Sequence, residues 1–103
     1  YLYSSNKYTV FVMSNGSEIL SRRSLISWGN ELVCQGYCAI SRSAIINLKY
    51  YVKIENYFVY MRTNINIPIS RRYYKKLKQT ISKYRMYYLR YQGGFDLKQS
   101  VFL

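Results

Sequence analysis

The chain has 103 residues, a length that favours a single domain. It carries 16 Lys and Arg against 4 acids. A net charge of +12 predicts a polyanionic partner, because such an excess repels itself in an isolated compact domain. There is no histidine, and the carboxylates are scattered, so most of the usual acid–base groups of enzymes are missing. We therefore expect a binding protein that is not an enzyme.

The two cysteines do not suggest a cofactor. Cys34 and Cys38 have no second pair and no histidine to complete a zinc site, and a disulfide between them would close a very small loop. We predict two reduced thiols, no metal or other cofactor, and no small-molecule substrate. No secretory signal or membrane span is visible, since Lys49, Lys53 and Arg62 interrupt the apolar stretches.

The first predicted elements form a β-hairpin. Tyr8–Met13 is rich in β-branched and aromatic residues, which is typical of a strand, and Glu18–Ser21 would be the returning strand. Asn15-Gly16 between them is a strong hairpin signal, because both residues tolerate positive φ. The same Asn15-Gly16-Ser17 matches a glycosylation acceptor, but without a secretory signal the turn is favoured.

A second hairpin is predicted next along the chain. Ser24–Trp28 and Glu31–Ile40 flank Gly29-Asn30, which can form the turn. Gly36 lies inside the second of these strands and indicates a bulge or a bend.

A half-buried strand is then predicted over Leu48–Ile54. Leu48, Val52 and other apolar residues alternate there with Lys49 and Lys53, which would give the strand a basic outer face. Tyr57–Arg62 would return beside it. A helix over 44–61 is the competing interpretation, and the tyrosines and β-branched residues of this stretch argue against it.

The last predicted element is a basic helix over 71–92. Thr63–Ile69 would be a connector, Ser70 the N-cap, and Gly93-Gly94 the stop signal. Apolar and aromatic residues recur at helical spacing along one stripe. They are Tyr74, Leu77, Ile81, Tyr84, Tyr88 and Tyr91.

These elements predict an α+β fold, in which a small antiparallel β-meander is followed by a long basic amphipathic C-terminal helix. We expect one domain over 1–103, with a β-rich part at 1–62, the helix at 70–92 and a tail at 93–103.

The helix is the main predicted contact with nucleic acid. No acid occurs between Asn56 and Phe95, so repulsion between its cations is better relieved by phosphates than by water. Tyrosines off the apolar stripe can stack on unpaired bases. Arg22 and Arg23 form a second cluster, for which a solvated loop is an equally good interpretation. The predicted RNA-binding residues are Arg22, Arg23, Arg62, Arg71, Arg72, Lys75, Lys76, Lys78, Lys83, Arg85, Arg90, Tyr73 and Tyr87.

RNA is the favoured polyanion at this stage. A stripe made mostly of tyrosine suits acyl chains poorly, which argues against an anionic membrane. DNA stays open, although no helix-turn-helix, zinc finger or basic zipper is recognisable.

Residues 8–24, YTVFVMSNGSEILSRRS, carry a family resemblance. The segment resembles the opening hairpin of mitochondrial relatives of the bacterial-type large-subunit ribosomal protein number thirty-one. In that family a hydrophobic strand is followed by Asp/Asn-Gly-Ser, a second strand and basic residues. The matching positions are Val10, Val12, Asn15, Gly16, Ser17, Arg22 and Arg23. The zinc-type cysteines of the bacterial family have no matching set here.

The resemblance implies a structural component of a mitochondrial ribosome, in the large subunit, bound to ribosomal RNA and to neighbouring ribosomal proteins. The resemblance implies the mitochondrial matrix or another organelle as the location. Tyr, Ile, Asn and Lys, which have AT-rich codons, are abundant, and this bias fits an organelle or an organism with an AT-rich genome. Two alternatives are an accessory subunit of a respiratory-chain or ATP synthase membrane complex and a free-standing RNA-binding regulator.

Overall fold

The computed structural model describes the backbone of residues 1–91 and the side chains of residues 1–84. Within this range it has eight strands and two α-helices. The strands form a five-stranded and a three-stranded antiparallel sheet. In chain order the elements are β1 Leu2–Ser5, β2 Tyr8–Val12, β3 Glu18–Ser21, α1 Leu25–Leu32, β4 Tyr37–Ser41, β5 Ala44–Asn47, β6 Tyr51–Glu55, β7 Phe58–Met61, β8 Asn66–Pro68 and α2 Arg71–Tyr91, with short 3-10 helices at Val33–Gln35 and Leu48–Tyr50.

The strand order corrects the predicted fold class. The large sheet has the order β3-β2-β1-β5-β4, and β6-β7-β8 form the small sheet. A small β-meander followed by a long basic helix is therefore the wrong description, because the eight described strands form two separate β-sheets and an additional helix lies between β3 and β4. Alternation of apolar residues locates strands but does not identify distant partners, such as Leu2 and Ile45 in the β1–β5 pair.

The hairpin of β2 and β3 agrees with the sequence prediction. The backbone amide of Met13 donates to the carbonyl of Ser17 at 2.9 Å across the turn. Gly16 has a φ of +88°, which glycine adopts readily. The Asn15 side chain accepts a hydrogen bond from the backbone amide of Ser17 at 2.9 Å, and this bond holds the turn together.

The hairpin predicted across Gly29-Asn30 is wrong, because α1 runs straight through these two residues. Ser24 is the N-cap of the helix, since its side-chain oxygen accepts a hydrogen bond from the amide of Ser27 at 3.1 Å. Leu25 and Leu32 are buried against the large sheet. The cap and this apolar face outweigh the turn preference of Gly-Asn.

The two glycines near α1 have specific roles. A Cβ on Gly29 would lie 3.2 Å from Cδ1 of Ile45, so glycine lets the helix approach the sheet closely. Trp28 packs edge-on against Phe11, with ring centroids 4.9 Å apart. Gly36 has a φ of +84° and ends the following 3-10 helix, so the chain turns there before β4 begins. A bulge or a bend within a strand was predicted at this position, and the strand is wrong because Gly36 precedes β4.

The strand predicted over Leu48–Ile54 starts too early. Leu48–Tyr50 is a 3-10 helix, and the Asn47 side chain accepts a hydrogen bond from the amide of Lys49 at 3.1 Å. The strand that follows has an irregular register, and Val52 is 49% exposed although alternation placed it inside. The local side-chain bond favours a turn where the pattern alone indicated a strand.

The segment predicted as a connector, Thr63–Ile69, contains β8. Pro68 is tolerated there because β8 is at the edge of the small sheet.

Helix α2 closes the core over β4. Leu77 and Ile81 are buried in one cluster with residues of both sheets, including Ile40 and Val59. Tyr74 and Tyr84 also pack against that cluster, as the apolar stripe predicts.

Candidate nucleic-acid interface

Three chain segments meet at one end of the large sheet. The register pairs Ser5 with Tyr8, Thr9 with Ser21, and Tyr3 with Ala44. Because the pairs are antiparallel, the end of β3, the β1–β2 turn and the β4–β5 turn all lie at this end.

The start of α2 joins the same end. The amide of Ser70 donates to the carbonyl of Ile40 near the end of β4 at 2.9 Å. The amide of Ser4 donates to the carbonyl of Ser43 in the β4–β5 turn at 3.0 Å. These backbone bonds fix the two turns and the first turn of α2 relative to one another.

Each of these segments carries exposed cations. Arg22 follows β3, and α2 begins with two arginines. At an inter-strand spacing of about 4.8 Å, the five strands spread the cations over roughly 19 Å. We call the group the basic row, which comprises Arg22, Lys7, Arg42, Arg71 and Arg72, all exposed.

The acids of the described residues leave the basic row uncompensated. Glu18 begins β3 at the opposite end of the sheet, where the hydroxyl of Tyr3 donates to it at 3.3 Å. Glu31 pairs with Arg23, and Glu55 pairs with Lys53. The large sheet is therefore electrically asymmetric along its strands.

The first turn of α2 adds to the positive potential. It contains no acid and begins with Arg71 and Arg72. A helix N-terminus carries a partial positive charge, so these arginines are disfavoured there without an anion. A phosphate near this turn would be attracted by the arginines and by the partial positive charge of the helix start.

The other cations of α2 lie on its outer surface. At 100° per residue, Lys75 and Lys83 point away from the buried Leu77. Lys78 lies with Nζ 5.5 Å from the ring centroid of Tyr74. The exposed predicted contacts along the described part of the helix are Arg71, Arg72, Lys75, Lys76, Lys78 and Lys83. The side chains of Arg85, Tyr87 and Arg90 lie outside the described residues.

Arg23 is engaged within the protein. Its Nε donates to Oγ of Ser27 at 2.7 Å, and one terminal nitrogen lies 3.2 Å from Glu31. The guanidinium carbon is 4.3 Å from the Trp28 ring centroid. These contacts attach α1 to the segment that follows β3, whereas the neighbouring Arg22 is exposed to solvent.

The remaining two predicted contacts are Arg62 and Tyr73, and neither belongs to the basic row. Arg62 is exposed in the β7–β8 turn, at the other end of the small sheet from the start of α2. The length of β7 separates these ends by about 13 Å. Tyr73 is half-buried, so only part of its ring faces solvent.

Sequence reasoning missed Lys7 and Arg42. The Ser41-Arg42-Ser43 segment between two apolar runs was a usable turn signal, because serine side chains favour turns by bonding to nearby backbone groups. Here the amide of Ser43 donates a hydrogen bond to Oγ of Ser41 at 3.2 Å. No local pattern places this turn beside α2, since the contact depends on the strand order.

The cysteines are free thiols, Cys34 exposed and Cys38 buried. Burial raises the pKa of the Cys38 thiol, and the nearby Thr80 and Lys76 oppose this shift. The neutral thiol of Cys38 therefore belongs to the core under α2.

Comparison with known proteins gave one family match. The model of the LytTR DNA-binding domain family matches residues 1–82. Searches of curated proteins and of solved structures found no significant match. No helix in the described part of the chain is long and apolar enough to cross a membrane.

The family match overturns the earlier identification. The resemblance to ribosomal protein thirty-one is wrong, because the Asn-Gly hairpin that carries it is common to many β proteins. A structural role in the mitochondrial ribosome, with ribosomal RNA and ribosomal proteins as partners, is replaced by a DNA-binding family. The match gives no support to the respiratory-complex alternative. The single domain over 1–103 and the mitochondrial location stay predictions.

Proposed function

The chain belongs to the LytTR DNA-binding domain family, and on that premise we propose that it binds duplex DNA through the basic row. The observation that carries the proposal is the convergence of five exposed cations, from four separate segments, at one end of the large sheet. Sequence reasoning chose the correct charge but the wrong polyanion, since a cationic surface attracts RNA and DNA alike.

The dimensions of the basic row suit a duplex. Its span of roughly 19 Å exceeds the width of the major groove, about 12 Å, so the row can contact phosphates on both sides of that groove. Contacts to phosphate fix the orientation of a protein on DNA without reading its sequence. Lys7, Arg22, Arg71 and Arg72 take this role in the proposal.

Arg42 has the best position for reading a base. It lies on a two-residue turn between β4 and β5, and such a turn is narrow enough to enter the major groove. Arginine forms paired hydrogen bonds with guanine, which is the commonest base-specific contact. The backbone bonds of Ser43 and of Ser70 hold this turn beside α2, so Arg42 would enter the groove while α2 meets the backbone.

The other predicted contacts take a secondary role. Lys75, Lys76, Lys78 and Lys83 extend the positive field along α2 and attract DNA over a distance of about 8 Å at physiological salt. We propose a binding module without a catalytic step, in keeping with the absence of histidine.

Charge reversal within the basic row tests the proposal. We expect Arg42→Glu with Arg72→Glu to weaken duplex binding about a hundredfold or more, because each lost arginine contact is worth about 1–3 kcal/mol. The measurement is fluorescence anisotropy with a labelled duplex at fixed salt. Circular dichroism would verify that the variant is folded.

The matched control changes net charge equally at distant exposed sites. Arg62→Glu with Lys83→Glu should weaken binding by about tenfold or less, through the long-range field alone. Equal losses in the two double variants would contradict the assignment of the basic row. No detectable duplex binding by the folded wild-type chain would overturn DNA binding itself.

A further inference from the structure

The β6–β7 turn holds a tyrosine in an unusual backbone conformation. Asn56 and Tyr57 have φ values of +52° and +62°, so both central residues of this two-residue turn are left-handed. A turn of this type normally has Asn followed by Gly, because a bulky side chain is strained at positive φ. Tyr57 is also 46% exposed, so burial in the core does not account for its presence.

The ring of Tyr57 lies against the beginning of α2. Its centroid is 4.5 Å from that of Tyr74. Its backbone carbonyl accepts a hydrogen bond at 2.7 Å from the amide of Ile69, two residues before the helix begins. The guanidinium carbon of Arg71 lies 5.9 Å from the centroid of the Tyr57 ring. The strained turn therefore supports the first cation of α2.

We propose that Tyr57 is a positioning residue for DNA binding, which holds the guanidinium of Arg71 ready for a phosphate. This inference rests on the proposed function. An aromatic face attracts a guanidinium through its π-system and leaves the N–H groups at the guanidinium edge free to donate. Arg71 then loses less side-chain freedom when DNA arrives, and binding is stronger than for an unsupported arginine.

The strain at Tyr57 separates this role from a purely structural one. If Tyr57 served only stability, replacing it would make the protein less stable. Glycine adopts positive φ without strain, so Tyr57→Gly relieves the backbone while it removes the ring. Backbone strain that persists where it does not aid folding is typical of functional sites.

A double-mutant cycle on duplex affinity tests the proposal, with unfolding followed on the same samples. We expect Tyr57→Gly to stay as thermally stable as wild type or become more stable, and to bind DNA about threefold to tenfold more weakly. In an Arg71→Ala background it should have no further effect on affinity, because the supported cation is gone. Tyr57→Phe keeps the ring and should bind like wild type.

An Arg72→Ala background is the matched control, in which Tyr57→Gly should weaken binding by the same factor as in wild type. Wild-type affinity in Tyr57→Gly would overturn the positioning role, and so would an equal loss in the Arg71→Ala background. If Tyr57→Gly fails to fold, Tyr57→Asn replaces it, because asparagine also tolerates positive φ. Wild-type protein that fails to bind duplex DNA would instead overturn the proposed function, and the positioning role with it.

Discussion

Single side chains explain where the observed elements differ from those that the residue patterns predict. Ser24 begins a helix in a stretch whose Gly-Asn pair resembles a turn. Asn47 folds its side chain over the amide of Lys49 and makes a 3-10 helix where alternation indicated a strand. In both cases one side-chain oxygen satisfies a backbone amide that the predicted element would have paired differently.

The Ser24 cap gives a prediction at this scale. We expect Ser24→Ala to lower the free energy of unfolding by about 1 kcal/mol, because the amide of Ser27 loses its partner at the helix start. The stability of Ser24→Asp should stay near that of wild type, since a carboxylate caps equally well and interacts favourably with the positive end of the helix. Urea denaturation measures both variants, and equal stabilities for the alanine and aspartate variants would show that the cap contributes nothing.

At the scale of elements, the sequence predicted what local signals determine. The β2–β3 hairpin follows from Asn15-Gly16, and the apolar stripe of α2 follows from the spacing of Leu77 and Ile81. Helix α1 also had signals, a capping serine and leucines seven residues apart, but Trp28 favoured a strand and Gly29-Asn30 favoured a turn. β5 is buried throughout, and a short apolar run with no alternation does not reveal its structure.

The attachment of α2 gives a prediction for an element. Leu77 is fully buried on the inner face of α2. Leu77→Ala should therefore lower the free energy of unfolding by about 2–5 kcal/mol, because apolar burial is lost and a cavity is left. Gln79→Ala, at an exposed position of the same helix, should change it by less than about 0.5 kcal/mol. Thermal unfolding monitored by circular dichroism compares the two, and similar losses would mean that α2 does not pack as described.

At the scale of the whole molecule, charge and topology together define the candidate site. Composition alone predicted a polyanionic partner but could not say where it binds. The basic row exists because the strand order places the β1–β2 turn, the β4–β5 turn and the start of α2 at one end. Lys7 and Arg42 were therefore beyond any local pattern, while Arg71 and Arg72 were visible as part of a basic helix.

The most direct test of DNA binding by the basic row is the salt dependence of duplex affinity. The four phosphate contacts proposed for Lys7, Arg22, Arg71 and Arg72 predict a slope of about −3.6 for the logarithm of the binding constant against the logarithm of salt concentration. Arg72→Ala should make the slope shallower by about 1, whereas Arg62→Ala should leave it unchanged. A wild-type slope near zero would contradict phosphate binding, and an equal change in both variants would contradict its location at the basic row.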